Sequence, residues 1–264
     1  MNYESLITGL SLKVGPLGEN DRLITLLTEK EGLLRVAVPG ARRPNSSLSG
    51  ATPLSLLELH IGGRSNLKKV RQMKIIKNFN NVGKLLETLA AAQALAELTQ
   101  LLVAVNEPIP GLLKTFVVHL ETLEELAKEK DAQPLEALAI SVQSCIHFLA
   151  LGGYCLPVQK CCHSGTPLNP PIGQWEWRCS LIPNEGFAIG SIHTSKIQLN
   201  PSEMALLQRL FQPHLPKRKD GQLMGPPSVW ITLLKIVELW IETHLPKKVT
   251  SLSMIRESFL LTNN

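Results

Sequence analysis

Residues 6–28 read LITGLSLKVGPLGENDRLITLLT and contain two strand-like runs joined by a turn. Residues 6–14 and 22–28 are rich in Leu, Ile, Val and Thr, which suit β-strands. The seven residues between them, GPLGEND, combine Gly, Pro, Asn and Asp, which favour turn conformations. The pattern therefore predicts a β-hairpin at the start of the chain.

Three more strand-like runs follow before residue 80. These runs are residues 33–38, 54–61 and 67–76, separated by a long polar loop over residues 39–53 and by the turn Gly62-Gly63. Five short strands with one long connection favour a small closed barrel of the OB-fold type. A five-stranded SH3-like barrel is the alternative that the same pattern allows.

After Gly83 the hydrophobic period changes from two to 3.6, which indicates helices. The first helix, around residues 85–105, is apolar on more than one side, so we expect it to be central. Further helices are predicted around residues 113–123 and 135–149. Asn200-Pro201-Ser202-Glu203 has the form of a helix start, and a last long helix begins near residue 227.

Together these patterns predict an α+β multidomain protein. An N-terminal five-stranded OB-fold-like β-barrel, residues 1–80, is expected to be the nucleic-acid-binding domain, and residues 81–264 to form an α-helical domain. Residues 154–195 are rich in Pro, Gly and Cys and are expected to form an irregular, loop-rich insertion with a small hairpin around residues 176–189.

Charge is distributed unevenly along the chain. Residues 1–80 carry 12 basic and 6 acidic side chains, whereas residues 81–150 carry 4 basic and 9 acidic ones. A basic segment favours a polyanionic partner, although a solvated basic surface would look the same in sequence. The predicted DNA-binding residues lie in the long loop and around the last strand of the barrel: Arg42, Arg43, Arg64, Lys68, Lys69, Arg71 and Lys74.

The expected binding mode follows from the scarcity of aromatic side chains. Tyr3 and Phe79 are the only aromatic residues before Phe116. OB-folds that bind single strands usually stack bases on aromatic rings, so this barrel is expected to rely on the phosphate backbone instead. Both single and double strands could then bind.

An enzymatic role is not indicated. The sequence contains no phosphate-binding loop ending in GK[ST], no HExxH and no GxSxG, so neither catalysis nor a cofactor is predicted. His147 is expected to pack within an apolar helix, and His119, near Glu121, to lie at the surface. Acidic residues interrupt the long apolar stretches, and no signal peptide is evident, so a cytoplasmic protein without membrane contact is expected.

Cysteine and histidine cluster in the insertion, where Cys161, Cys162, His163, Cys179 and His193 lie within about forty residues of Cys155. Structural zinc sites usually pair thiolates as C-x₂-C, and here Cys161 and Cys162 are adjacent. Free thiols in a reducing compartment are therefore expected, with no metal.

Three blocks near the start of the chain carry a family resemblance. PLGENDRLITLLT at residues 16–28, EGL at 31–33 and PGARRP at 39–44 resemble the opening of the RecO family of bacterial recombination mediators. Shorter blocks at residues 90–102, 165–168, 184–187 and 244–251 extend the similarity over most of the chain. The resemblance is weakest in the insertion, where the paired cysteines of the zinc-binding members are missing and packing of Trp175, Trp177 and Phe187 could replace the metal.

This resemblance implies a role in DNA repair and homologous recombination. Members bind single- and double-stranded DNA, anneal complementary strands, and work with a RecR partner to load RecA onto strands covered by single-stranded-DNA-binding protein. They hydrolyse no nucleotide, and they associate with the nucleoid when engaged in repair. By position, Arg42 and Arg43 become the leading DNA contacts. The alternative left open is a protein-interaction scaffold, with the acidic residues 121–136 meeting a basic partner.

Overall fold

A computed structural model describes residues 4–63 and 67–262, with side chains described up to residue 259. The barrel strands are β1 (Ser5–Leu17), β2 (Asp21–Thr28), β3 (Gly32–Val38), β4 (Ser55–Gly62) and β5 (Lys68–Asn78). A short 3₁₀ turn (Asn80–Lys84) leads into the helical part. Its elements are α1 (Leu86–Leu102), α2 (Leu112–Leu126), α3 (Pro134–Leu151), β6 (Cys179–Ile182), β7 (Gly186–Ile189), β8 (Gln198–Leu199), α4 (Pro201–Arg209), α5 (Pro227–His244) and α6 (Thr250–Thr262).

The first five strands close into a barrel in the order β1-β2-β3-β5-β4, which confirms the OB-like prediction. All neighbours are antiparallel except β3 and β5. The first half of β1 pairs with β4 and the second half with β2, with a bulge between Ser11 and Lys13 where the register shifts. A bulge bends a strand, and this bend allows β1 to pair with β4 along its first half and with β2 along its second half.

The predicted first turn was too long. Residues 15–17 continue β1 and pair with β2 through Pro16 opposite Arg22, so that the turn itself is short and includes Gly18 at φ +62°. Proline is accepted near a strand end because the amide hydrogen it lacks is not needed by an inner ladder there. The β1–β2 hairpin therefore extends farther out of the barrel than expected.

The barrel shares a hydrophobic core with the helices. Its interior is filled by side chains such as Ile24, Val36 and Leu59. Leu10, Leu27 and Leu33 lie opposite one another on three adjacent strands and belong instead to the cluster formed by the helices. Alternation along a strand places these leucines on the outer surface. One part of the outer surface of the barrel is therefore covered by the helical part.

Among the helices, α1 and α3 are central. Most of the predicted apolar positions of α1 are buried, including Ala91, Leu95 and Leu98, but Leu89 is exposed, and Val105 is exposed and lies beyond the end of the helix. Helix α6 was not predicted from the sequence, although its Leu252, Ile255 and Phe259 recur at helical spacing and are buried in the core shared with α1.

The expectation that acidic residues interrupt every long apolar stretch was wrong for α3. By length and composition this helix could cross a membrane, but 67% of its residues are buried inside the protein. Its neighbours are α1, α2, α5 and α6. The apolarity of α3 is that of a core helix surrounded by other helices.

In the insertion, the predicted hairpin forms from β6 and β7, and β8 adds a third strand in the order β7-β6-β8. Phe187 is completely buried and Trp177 is half-buried, but Trp175 is 63% exposed. The predicted packing by three aromatic residues is therefore wrong for Trp175, which lies in an irregular segment outside the sheet.

Candidate nucleic-acid interface

The predicted DNA-binding residues of β5 differ in their exposure to solvent. Lys69, Arg71 and Lys74 are exposed. Lys68 is half-buried, and its Nζ donates a hydrogen bond to the carbonyl oxygen of Gly63 at 3.2 Å. Arg64, which the sequence also predicted, lies outside the described residues. Three of the predicted β5 cations are thus available to a ligand. The ammonium of Lys68 is partly occupied by its hydrogen bond to the turn that precedes β5.

A bulge in β5 aligns these cations. Val70 lies opposite Ile61 and Gln72 opposite His60, so Arg71 is an extra residue between them. Strict alternation would place Lys69 and Lys74, five residues apart, on opposite faces. The bulge restores both to the outer face, while Val70 and Met73 pack in the barrel. Arg71, which occupies the bulge, is exposed together with Lys69.

Two further cations extend this surface and were not predicted from the sequence. Lys13 on β1 and Arg35 on β3 both lie opposite Thr25 of β2, and both are exposed. Ala37, two residues beyond Arg35 on the same face, lies beside Lys69. In the sequence, each of these cations appears only as a single charged residue inside an apolar strand. The strand register is needed to show that Lys13 and Arg35 flank the same residue.

We call Lys13, Arg35, Lys69, Arg71 and Lys74 the outer basic face. Within residues 4–63 and 67–259, none of these side chains lies in an ion pair. The row Lys13-Thr25-Arg35 is next to the leucine row that the helices cover. Glu58 lies opposite Lys74 in the sheet without forming an ion pair with it. Five positive charges with one such carboxylate beside them form a favourable site for an extended polyanion.

The loop cations Arg42 and Arg43 are also exposed, but Arg42 has a structural role as well. Its guanidinium donates to the carbonyl oxygen of Gly18 at 3.0 Å, and its backbone N–H donates to Asn20 at 2.9 Å. The Gly40 N–H donates to Asp21 Oδ1 at 2.8 Å. These bonds attach the long loop after β3 to the β1–β2 turn.

The loop and β5 approach the same end of β3. Lys68 and Lys69 lie beside Val36 and Ala37, and the loop that carries Arg42 begins directly after Val38. The structure therefore brings the two predicted basic groups, which are separated by more than twenty residues in sequence, to neighbouring positions on the barrel.

The thiol cluster does not match a structural zinc site. Donor atoms of Cys162, His163 and Glu185 lie within 4.8 Å of one another, but the last two side chains are exposed, and His163 Nε2 lies 3.6 Å from Glu185 Oε2. Structural zinc takes four ligands, mostly sulfur and imidazole nitrogen. Cys161 Sγ instead accepts a hydrogen bond from the Ile189 N–H at 3.3 Å. His193 is exposed and does not belong to this group.

The pKa values distinguish the buried thiols. Burial tends to raise the pKa of Cys161, but hydrogen bonds from Ser164, Ile189 and His163 outweigh burial and lower it to about 7. Burial raises the pKa of Cys179 to about 12. The hydrogen-bond donors thus stabilise the thiolate form of Cys161, as a bound metal ion would in a zinc site.

Comparison with known proteins gives a consistent result over the whole chain. The family model "Recombination protein O N terminal" matches residues 1–79, and "Recombination protein O C terminal" matches residues 84–253. The DNA repair protein RecO of Prochlorococcus marinus (strain MIT 9303) is 63% identical over 260 residues, which cover 98% of this chain and 97% of the relative.

Similarity extends to relatives of lower identity. The DNA repair protein RecO of Synechococcus sp. (strain CC9311) is 55% identical over 267 residues, covering 98% of each chain. That of Nostoc sp. (strain PCC 7120) is 29% identical over 306 residues, covering 100% of this chain and 99% of the relative.

Proposed function

Because the chain belongs to the RecO family of DNA repair proteins, we propose that it binds single- and double-stranded DNA and acts as a recombination mediator. The observation that carries this proposal is the outer basic face, with five exposed cations that form no ion pair among the described side chains. OB-folds bind oligonucleotides on the surface around strands 2 and 3, where Arg35 lies.

The chemistry of this face favours phosphate over base recognition. Lys and Arg neutralise phosphates and release condensed counterions, which gives affinity that falls with salt and depends little on sequence. Contacts to phosphates leave the pairing edges of the bases free. A single strand held in this way can still pair with its complement, which supports strand annealing as the activity.

By family membership, we extend the proposal to a RecR-type partner, to strands covered by single-stranded-DNA-binding protein, and to loading of RecA. Residues 1–80 would be the DNA-binding domain and residues 81–264 the helical domain that supports it. No catalytic step is required, since annealing and loading proceed through binding alone. The place of action would be the bacterial cytoplasm, at the nucleoid during repair.

The scaffold alternative is disfavoured by the acidic segment itself. Lys77 Nζ lies 2.8 Å from Glu121 Oε1, and Lys217 contacts Glu136. Glu124 is buried, and its carboxylate accepts a hydrogen bond from Asn81 at 3.1 Å. Three of the carboxylates expected to attract a basic partner are therefore already bonded to other side chains of this protein.

The test replaces the five residues of the outer basic face with alanine and measures binding of a single-stranded oligonucleotide at several salt concentrations. Removing one cation that neutralises a phosphate lowers the salt slope by roughly 0.7 on a single strand, so a clearly flatter slope and weaker binding are expected. Annealing of complementary strands should slow in parallel.

A matched control removes five exposed lysines of the helical part: Lys84, Lys114, Lys130, Lys160 and Lys196. The net charge changes by the same amount, so any general electrostatic effect is shared. Equal weakening by both variants, or no weakening by the first, would refute the assignment of the site to the barrel.

A further inference from the structure

A groove of about 420 Å³ lies between the β1–β2 hairpin and the long loop after β3. Val14, Pro16 and Pro53 supply apolar walls, and Arg22 and Arg42 supply two guanidinium groups. Its size falls within the range of small-molecule sites, which combine apolar walls with a few polar groups.

The two guanidinium groups are held in place by backbone carbonyls. One nitrogen of Arg22 donates to Ser49 and Ala51, both at 3.1 Å, and one nitrogen of Arg42 donates to Gly18 at 3.0 Å. The other nitrogens of these two groups have no protein partner among the described residues. Because these side chains are already ordered, a ligand would not bear the entropic cost of fixing them.

The charges of the groove select an anion. No carboxylate occurs among the described residues that line it, and neither arginine forms an ion pair in the described part of the chain. Guanidinium groups bind phosphate through paired donors, and their planes can stack on nucleobases. A ligand with one phosphate and one flat, weakly polar ring matches both the cations and the walls.

We infer that this groove holds one unstacked nucleotide of single-stranded DNA, with its phosphate at the arginines and its base against the apolar wall. The inference rests on the proposed DNA binding and adds a strand preference to it. A nucleotide in a duplex would first have to leave its stack and its pair, which costs a few kcal/mol. The groove therefore favours single strands, whereas the outer basic face accepts both forms.

Thr52 allows the groove to be filled without changing charge, because its side chain is exposed in the groove wall. Thr52→Leu should weaken single-strand binding roughly tenfold, as expected when the stacking of one base is removed, with duplex affinity and the salt slope unchanged. Thr122→Leu, at an exposed position of α2, is the matched control.

A second readout follows the base itself. An oligonucleotide that contains 2-aminopurine reports unstacking by brighter fluorescence, so binding to the unmodified protein should raise the signal and binding to Thr52→Leu should raise it less. Val14→Leu, on the face of β1 that lines the groove, provides a second blocking variant should Thr52→Leu fold poorly.

Full single-strand affinity in both folded blocking variants, or equal loss on single strand and duplex, would overturn the inference while leaving DNA binding intact. An unmodified protein that binds no DNA would instead refute the proposed function.

Discussion

Lys77 Nζ lies 2.8 Å from Glu121 Oε1, so the end of the last barrel strand is joined to α2. The same ammonium lies 4.8 Å from the centroid of the Phe79 ring. Leu56, opposite Lys77 in the sheet, packs against the core shared with the helices. Along β5 the basic residues thus change role, because Lys74 faces solvent and Lys77 connects the barrel to the helical part.

This change of role predicts different effects for two neighbouring lysines. Lys77→Ala should leave single-strand affinity nearly unchanged, whereas Lys74→Ala should weaken binding and flatten its salt dependence. In a double-mutant cycle with Glu121→Gln, urea unfolding should give a Lys77–Glu121 coupling of about 0.2–1 kcal/mol, since both side chains are partly exposed. A larger binding defect for Lys77→Ala than for Lys74→Ala would contradict this division.

Gly32 is predicted to be essential where the barrel meets the helical part. Its φ is +62°, and an added Cβ would lie 2.7 Å from the carbonyl oxygen of Glu107. Gly32→Ala should therefore lower the free energy of unfolding by about 2 kcal/mol or more, since both backbone strain and a backbone clash result. Gly83→Ala, in open space without positive φ, should change it by less than about 1 kcal/mol. Comparable urea midpoints for the two variants would be inconsistent with the clash.

The histidine pair predicts sensitivity to acid. His147 Nε2 donates to the carbonyl oxygen of Leu210 at 2.9 Å, so its Nδ1 accepts from His119 Nε2–H at 3.1 Å. His119 is 5% exposed, contrary to the surface position expected from sequence. Burial, and then repulsion by His147, lower the pKa of His119 from 6.5 to about 3.

A lowered histidine pKa means that the unfolded chain binds a proton that the folded chain does not. Stability should be complete above about pH 6.5 and fall as the pH drops towards 3, by at most about 1.4 kcal/mol per pH unit for this group. In His119→Gln the dependence of the unfolding free energy on pH should be weaker in this window. His193→Gln, at an exposed position, should retain the original dependence. Parallel curves for both variants would rule out the pair as the cause.

The start of α4 is predicted to depend on its capping box. Asn200 Oδ1 accepts from the Glu203 N–H at 3.0 Å, and Glu203 Oε2 accepts from the Asn200 N–H at 2.8 Å. Asn200→Ala should cost about 1 kcal/mol of unfolding free energy, while Asn200→Asp, which keeps the acceptor, should cost much less. Equal losses in thermal or urea unfolding would show that the cap is not what the asparagine contributes.

Local sequence patterns predicted the structure correctly where the feature depends on a single helix or strand. The capping box at Asn200 was readable because its two bonds join residues three apart. The strands of the barrel were readable because period-two alternation reports burial on one face. Alternation alone could not place Lys74 on the same face as Lys69, since a bulge is a property of two paired strands and only the pairing with β4 shows where the extra residue falls.

By itself, the sequence determined a five-stranded barrel, central helix α1 and an excess of positive charge near the amino terminus, because these depend on hydrophobic period and composition. Only the tertiary structure decided which cations form a surface. Lys13 and Arg35 lie 22 residues apart in sequence, but strand pairing places both next to Thr25. Lys77 does not join this surface, because it bonds to Glu121, 44 residues away. The physical reason is that strand pairing and ion pairing join distant segments, whose relative positions no local pattern encodes.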